Sequence, residues 1–162
     1  MSVPRLRVVT VCMGNICRSP TAEAVLRAKL EAAGLAERVE VDSAGTHGYH
    51  VGDPPDRRSV AAAQRRGYDL TRLRARALAP DDAEADLLLV MDRGNLRRAQ
   101  QIVGTHPGLQ LFLSDRRGGA EVPDPYAGRD EGFEHVLDLI EAGADAWLER
   151  IRELLADDAA AS

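Results

Sequence analysis

Runs rich in β-branched and aliphatic residues alternate along this chain with stretches of helical periodicity, an order that predicts a parallel sheet with covering helices. Arg5–Cys12 predicts the first strand, with Val8, Val9 and Val11 as its β-branched residues. A helix is expected over Pro20–Ala33. Ala22, Val25, Leu26 and Leu30 share one face of it, Pro20 suits its first turn and Gly34 its stop. Val39–Val41 predicts a second short strand, followed by Ser43-Ala44-Gly45 and a loop to Pro55. A helix over Arg57–Gly67, a buried strand over Asp86–Met91, a helix over Gly94–Val103 and a strand over Leu109–Leu113 complete the alternation. Ser114–Gly132, rich in Gly, Pro and Asp, predicts loop, and an apolar stripe from Phe133 to Leu155 predicts a long last helix over Glu131–Leu155. With 162 residues and neither an internal repeat nor a Pro/Gly/Ser-rich linker, one domain is expected over 1–156, with a disordered tail at 157–162. The fold class this predicts is α/β: one doubly wound domain, a four-stranded parallel sheet with helices on both faces.

Ligands of such sheets bind beyond the carboxyl ends of the strands. Cys12-Met13-Gly14-Asn15-Ile16-Cys17-Arg18-Ser19-Pro20 lies there, between the first strand and its helix. A loop in that place can turn successive backbone N–H groups inward above the positive end of a helix, a concavity suited to a tetrahedral dianion. Gly14 and Asn15 tolerate the positive φ that such a tight loop needs. Arg18 returns towards the cysteine, where its planar fork can hold two phosphate oxygens. The same field favours a thiolate at Cys12. This local positive potential matters because the whole chain is acidic, with a net charge of −5. That balance speaks against nucleic acid or an anionic membrane as partner.

The stretch Cys12–Pro20 resembles the signature of the low-molecular-weight protein tyrosine phosphatases. The similarity continues through Asp42-Ser43-Ala44-Gly45-Thr46, Tyr49-His50-Val51-Gly52, Val90-Met91-Asp92 and Asp124-Pro125-Tyr126, nearly the whole chain in order. The resemblance implies a phosphate-binding loop after the first strand and hydrolysis of phosphotyrosine through a cysteinyl-phosphate intermediate. Cys12 would be the nucleophile, the backbone from Met13 to Arg18 the phosphate cradle, and Ser19 a hydrogen-bond donor to the thiolate, with Asn15 and Ser43 bracing the loop. Met13, Gly14, Asn15, Ile16, Cys17, Tyr49 and Tyr126 would bind the substrate, Met13, Ile16 and the two tyrosines as an apolar slot for its ring.

A phenolate leaves more readily if protonated, so an acid should overhang the cradle. Asp115, Asp124 and Asp130 lie in the loop after the fourth strand. Asp124 is the best placed, because Pro125 restricts it to extended geometry and Tyr126 can line a ring slot. Asp92, at the end of the third strand, reads as a structural acceptor or a helix-initiating residue without a catalytic role.

Three positions depart from the family's usual pattern. Ala127 follows Asp124-Pro125-Tyr126 where many relatives carry a second aromatic, which implies a more open slot. Leu73-Arg74-Ala75-Arg76 replaces a His-x-Ala-Arg stretch, so bracing by a histidine is not expected. Asp56-Arg57-Arg58 lacks a proline, and its arginines read either as an exposed helix face or as a site for acidic substrate sequence. Cys17 reads in two ways: as a partner of Cys12 in a reversible protective disulfide, which the resemblance implies, or as a small apolar residue.

An arsenate reductase on this scaffold needs cysteines outside the loop, and the chain has only Cys12 and Cys17. Protein-arginine phosphatases with a similar loop tend to carry Thr where this chain has Ile16, and a branched apolar residue favours a ring over a guanidinium. A phosphate-binding module without activity has no use for the thiolate. His47, His50, His106 and His135 lack ligand spacing, so neither a metal nor a cofactor is expected. No apolar run approaches the roughly 20 residues that span a bilayer, and no signal peptide is expected. The expected setting is the cytoplasm, the expected partners a tyrosine-phosphorylated protein and, in the site, phosphate or another oxyanion.

Overall fold

The structure, a computed structural model, describes residues 5–113 and 119–161. Its strands are β1 (Leu6–Cys12), β2 (Val39–Gly45), β3 (Leu87–Val90) and β4 (Leu109–Leu111), all parallel, in the order β2-β1-β3-β4. The helices are α1 (Arg18–Ala32), α2 (Arg57–Arg65), α3 (Arg93–Val103) and α4 (Asp130–Ala161), with a 3₁₀ turn at Pro80–Glu84 before β3. The predicted α/β class, with its four parallel strands, is the fold observed.

Alternate residues of the central strands feed two cores. Val8, Cys12, Leu87 and Leu89 pack with α1 and α4 on one face, around Leu26, Phe112, Ile140 and Trp147. Val9, Val11, Leu88 and Val90 pack with Ala99 and Leu96 of α3 on the other. Continuous apolar strands are what a sheet covered on both faces requires. The Trp147 indole N–H donates to Phe112 O at 2.7 Å and fixes α4 against the end of β4. Among the described residues no helix is long and apolar enough to cross a membrane.

Three differences from the predicted elements bear on function or order. Helix α1 starts at Arg18 rather than Pro20, because the loop after β1 winds straight into it. Strand β2 runs on to Gly45, where the sequence predicts a loop from Ser43; its register with β1 continues through Thr10↔Ser43 to Cys12↔Gly45. Helix α4 continues to Ala161, into the segment expected to be a disordered tail. The run Asp157-Asp158-Ala159-Ala160-Ala161 brings alanines of high helix propensity to a helix already anchored by buried Ile151 and Leu155. Ser162 lies outside the described residues, as does Asp115, one of the candidate acids.

Candidate active site

The site begins where β1 ends. Cys12 closes β1, and after five intervening residues α1 opens at Arg18 with no side-chain hydrogen bond capping it. The first N–H groups of a helix have no partners within it, so this end faces the loop as a set of donors with a partial positive charge. Asn15 takes the left-handed conformation, φ 58°, and is the one non-glycine with positive φ among the described residues. Asparagine tolerates that region better than other side-chain-bearing residues. Its side chain then explains its presence. Nδ2 donates to Ser19 Oγ at 2.8 Å and to Ser43 Oγ at 2.9 Å, while Oδ1 accepts from Arg76 N–H at 2.9 Å.

These bonds end on sulfur. Cys12 Sγ lies 3.0 Å from Ser19 Oγ and accepts from Asn15 N–H at 3.3 Å. Ser43 O–H donates to Glu23 Oε1 at 2.6 Å, so the Ser43 oxygen is turned to accept from Asn15. Asn15 has its second N–H on Ser19, so the Ser19 oxygen accepts there and its hydroxyl proton has two acceptors in reach, Cys12 Sγ at 3.0 Å and Ala44 O at 3.4 Å. Glu23 is buried on α1 and paired with Arg27 at 2.7 Å. Burial pushes its carboxyl above the usual carboxylate range, against the pull of Ser43 and Arg27. With leucine at position 73, the brace comes from Arg76, whose side chain is held by Asp42 and Asp82.

Backbone bonds fix the rest of the loop. Thr46 N–H donates to Cys12 O at 2.9 Å, His47 N–H to Met13 O at 3.0 Å and Asp56 N–H to Ile16 O at 2.8 Å. Gly45 is needed for this approach, since a Cβ there would stand 2.8 Å from Met13 O.

Above the sulfur is a cavity of about 100 Å³ lined by Cys12, Met13, Gly14, Ile16, Cys17, Arg18, Tyr49, His50, Asp124 and Tyr126. Arg18 is 2% exposed; its Nη1 donates to Asp92 Oδ2 at 2.7 Å and Val122 O at 2.9 Å, and its Nη2 is 3.7 Å from Asp124 Oδ2. Asp124 is 39% exposed and accepts the N–H of Tyr126 at 3.0 Å. Ile16 and Cys17 form the buried wall, while Met13, Tyr49 and Tyr126 form an exposed rim. Tyr49 stacks on His47 with ring centroids 5.2 Å apart. Cys17 is a free thiol, as is Cys12. Burial, with Asp56 nearby, pushes the Cys17 thiol up to about 12, and a hydrogen bond from Ser59 only partly opposes this.

The fold thus brings Cys12, Arg18 and Asp124 to one cavity, with Met13, Gly14, Ile16, Cys17, Tyr49 and Tyr126 around it. Asn15 is not in the lining, and with Ser19 and Ser43 it lies buried in the network behind the sulfur. Read from the sequence, Asp92 lies near the mouth by topology but carries no catalytic role, and neither Glu23 nor His50 is marked as part of the site. Asp92 caps α3, accepting Asn95 N–H at 2.7 Å, and also carries Arg18, so both structural readings of it hold. The signal for that double use was in the sequence: an Asp three residues before an Asn, at the carboxyl end of a strand.

The sequence profile of the family described as low molecular weight phosphotyrosine protein phosphatase matches residues 7–157. A Synechocystis sp. protein provisionally named a low molecular weight protein-tyrosine-phosphatase is 46% identical over 142 residues, 84% of this chain and 90% of its own. A low molecular weight phosphotyrosine phosphatase of Vibrio cholerae superposes with a TM-score of 0.81 at 36% identity, covering 92% of this chain and 98% of its own. Wzb of Vibrio vulnificus in complex with benzylphosphonate gives a TM-score of 0.79 at 31% identity, covering 90% and 98%. The chain belongs to the low molecular weight phosphotyrosine protein phosphatase family.

Proposed function

We propose that this chain hydrolyses phosphotyrosine in protein substrates, with Cys12 as nucleophile, Arg18 as phosphate binder and Asp124 as general acid and base. The observation that carries this reading is the single cavity where Cys12 Sγ, under donors from Asn15 and Ser19, meets the Arg18 guanidinium and the Asp124 carboxyl. Arg18 is anchored through Nη1, which leaves the Nε–Nη2 edge for two phosphate oxygens. The loop N–H groups and the start of α1 take up the remaining negative charge.

In the first step the thiolate attacks phosphorus, the bond from phosphorus to the phenolic oxygen breaks, and Asp124 gives its proton to that oxygen. The product is tyrosine, with phosphate on sulfur. In the second step the Asp124 carboxylate takes a proton from water as the water oxygen attacks phosphorus. The sulfur–phosphorus bond then breaks, and thiolate and inorganic phosphate are restored. The neighbour that carries benzylphosphonate, a ring one carbon from a tetrahedral anion, supports an aryl group above the cradle. Ile16, in the buried wall, suits a ring better than a guanidinium. Thiolate chemistry of this kind runs in a reducing compartment, and the cytoplasm is the proposed setting.

The test is hydrolysis of matched phosphotyrosine, phosphoserine and phosphoarginine peptides in chelator-treated buffer. Phosphotyrosine should be cleaved at least about a hundredfold faster, and Cys12→Ser should reduce turnover by a factor on the order of 10⁵ while phosphate binding persists. Preference for phosphoarginine would overturn the substrate assignment, and turnover by Cys12→Ser the nucleophile.

A further inference from the structure

Arg57 and Arg58 stand side by side at the start of α2 but do different work. Arg57 is exposed, whereas the Arg58 guanidinium is committed to the protein. Asp56 caps α2 by accepting Arg58 N–H at 2.8 Å and holds the same residue's side chain through both carboxylate oxygens, at 3.1 and 3.0 Å. The guanidinium then reaches across to the loop that carries Asp124. Nη2 donates to Tyr126 O at 2.8 Å and Nη1 to Gly128 O at 3.2 Å. It also lies 4.5 Å from the centroid of Phe133, in the first turn of α4, and 5.8 Å from that of Tyr126.

Few other contacts fix this loop. Val122 is tied by its N–H to Met91 O, just after β3, and to the cradle by Arg18, and α4 begins at Asp130. Between those points, among the described residues, the side-chain hydrogen bonds that reach loop carbonyls from outside are both Arg58's. Gly128 N–H bonds only within the loop, to Pro125 O, and Asp124 accepts from its own neighbour Tyr126. Ala127 adds no bulky side chain that could pack the loop down. The anchor of the clamp is itself joined to the cradle, because Asp56 N–H donates to Ile16 O at 2.8 Å.

We propose that Arg58, anchored by Asp56, is a positioning residue that holds the Asp124 loop in register with the phosphate cradle. This rests on the reading of Asp124 as the proton donor. A two-point clamp on the carbonyls of Tyr126 and Gly128 fixes the direction in which the chain leaves Asp124, so the clamp acts on proton transfer and not on phosphate binding.

The experiment compares kcat/KM for phosphotyrosine, a poor leaving group, and 4-nitrophenyl phosphate, an activated one, in Arg58→Met, Asp124→Asn and the double variant. Arg58→Met should slow phosphotyrosine roughly tenfold and 4-nitrophenyl phosphate less than about threefold, with unchanged inhibition by inorganic phosphate. In the Asp124→Asn background it should have no further effect, because the group it positions is gone. Arg58→Lys, which keeps the charge but not the fork that spans the two carbonyls, should fall between wild type and Arg58→Met. Equal slowing of both substrates, or a further loss on top of Asp124→Asn, would overturn the proposal in favour of a general structural role. If Asp124→Asn alone fails to discriminate between the leaving groups, the acid assignment falls and the clamp's role with it. If Asp124→Asn discriminates and Arg58→Met does not, only the clamp's role falls.

Discussion

The loop from Cys12 to Ser19 and the loop from Val122 to Arg129 face each other across one cavity and are held by different means. The first is buried apart from Met13 and Gly14, and backbone or side-chain bonds from β2, α2 and the Arg76 segment fix it at Cys12, Met13, Asn15 and Ile16. The second is exposed apart from Val122 and Pro125; Met91 O and Arg18 hold it at Val122, Arg18 also lies 3.7 Å from Asp124, and beyond these it keeps its shape by bonds within itself plus the reach of Arg58. The difference follows from what each loop is asked to stabilise. Charge that develops on a transferring phosphoryl group is best met by donors already in place, which demands a rigid, dry setting. The side of the leaving group has to admit a residue of another protein, which demands an open rim. Preorganisation is concentrated where the charge is.

Arg18→Lys should break the cradle most severely. The arginine is held through Nη1 by Asp92 and Val122 O, and in the proposed reading its other edge takes the phosphate, so it bridges two places at once. A lysine presents its donors at one point and cannot span both. We expect kcat/KM to fall by a factor on the order of 10³, equally for activated and poor leaving groups, with weaker inhibition by inorganic phosphate. A loss confined to poor leaving groups would mean that Arg18 acts through Asp124, its neighbour at 3.7 Å. Asp124→Asn should show the opposite pattern. A loss of about 10² is expected for phosphotyrosine and much less for 4-nitrophenyl phosphate, measured as kcat/KM at neutral pH. Equal slowing of both would remove Asp124 from the acid role.

The same contrast explains what could be read from the sequence. The cradle was legible because each part of it is local: a β-branched strand, a loop with Gly14 and Asn15, an arginine, then Pro20 in a first helical turn. The sequence predicts the second strand only to Val41, because Asp42 and Ser43 look like loop residues; they are strand residues whose side chains serve Arg76 and Asn15. Glu23 falls in an apolar helix face, where a single carboxylate gives no hint that a serine and an arginine satisfy it. Arg58 was ambiguous for a related reason. Its partners lie some 70 residues away, and a guanidinium on a helix end carries no mark of the carbonyls it will reach. Local chemistry leaves a pattern in sequence, whereas braces across distant segments leave only residue types.

Asp82 gives the smallest effect and a direct measure of a brace that stands behind the cradle. It is 3% exposed, and its oxygens accept both Nη1 and Nη2 of Arg76 at 3.0 Å and Ala79 N–H at 2.9 Å. Burial opposes its ionisation, but the Arg76 fork, the Ala79 N–H and the charge of Arg7 outweigh that and hold the carboxyl below the usual carboxylate range. A lowered folded-state value means that the ionised group stabilises the protein above the unfolded value, near 3.9, and that this contribution is lost as pH falls through the folded one. Asp82→Asn should therefore cost about 2 kcal/mol from pH 8 to about pH 5, less than a fully buried pair, because the Arg76 side chain is 33% exposed. Thermal unfolding should shift by about 6 °C, and the gap to wild type should close below about pH 4. Activity at pH 7 should change less than about threefold, because Asp42 still holds Arg76 and the Arg76 N–H still reaches Asn15. A collapse of activity comparable to that of Arg18→Lys would show that the cradle's geometry extends as far back as Asp82. A loss of stability alone would place its boundary at Asn15, with Arg58 acting on rate and Asp82 on folding.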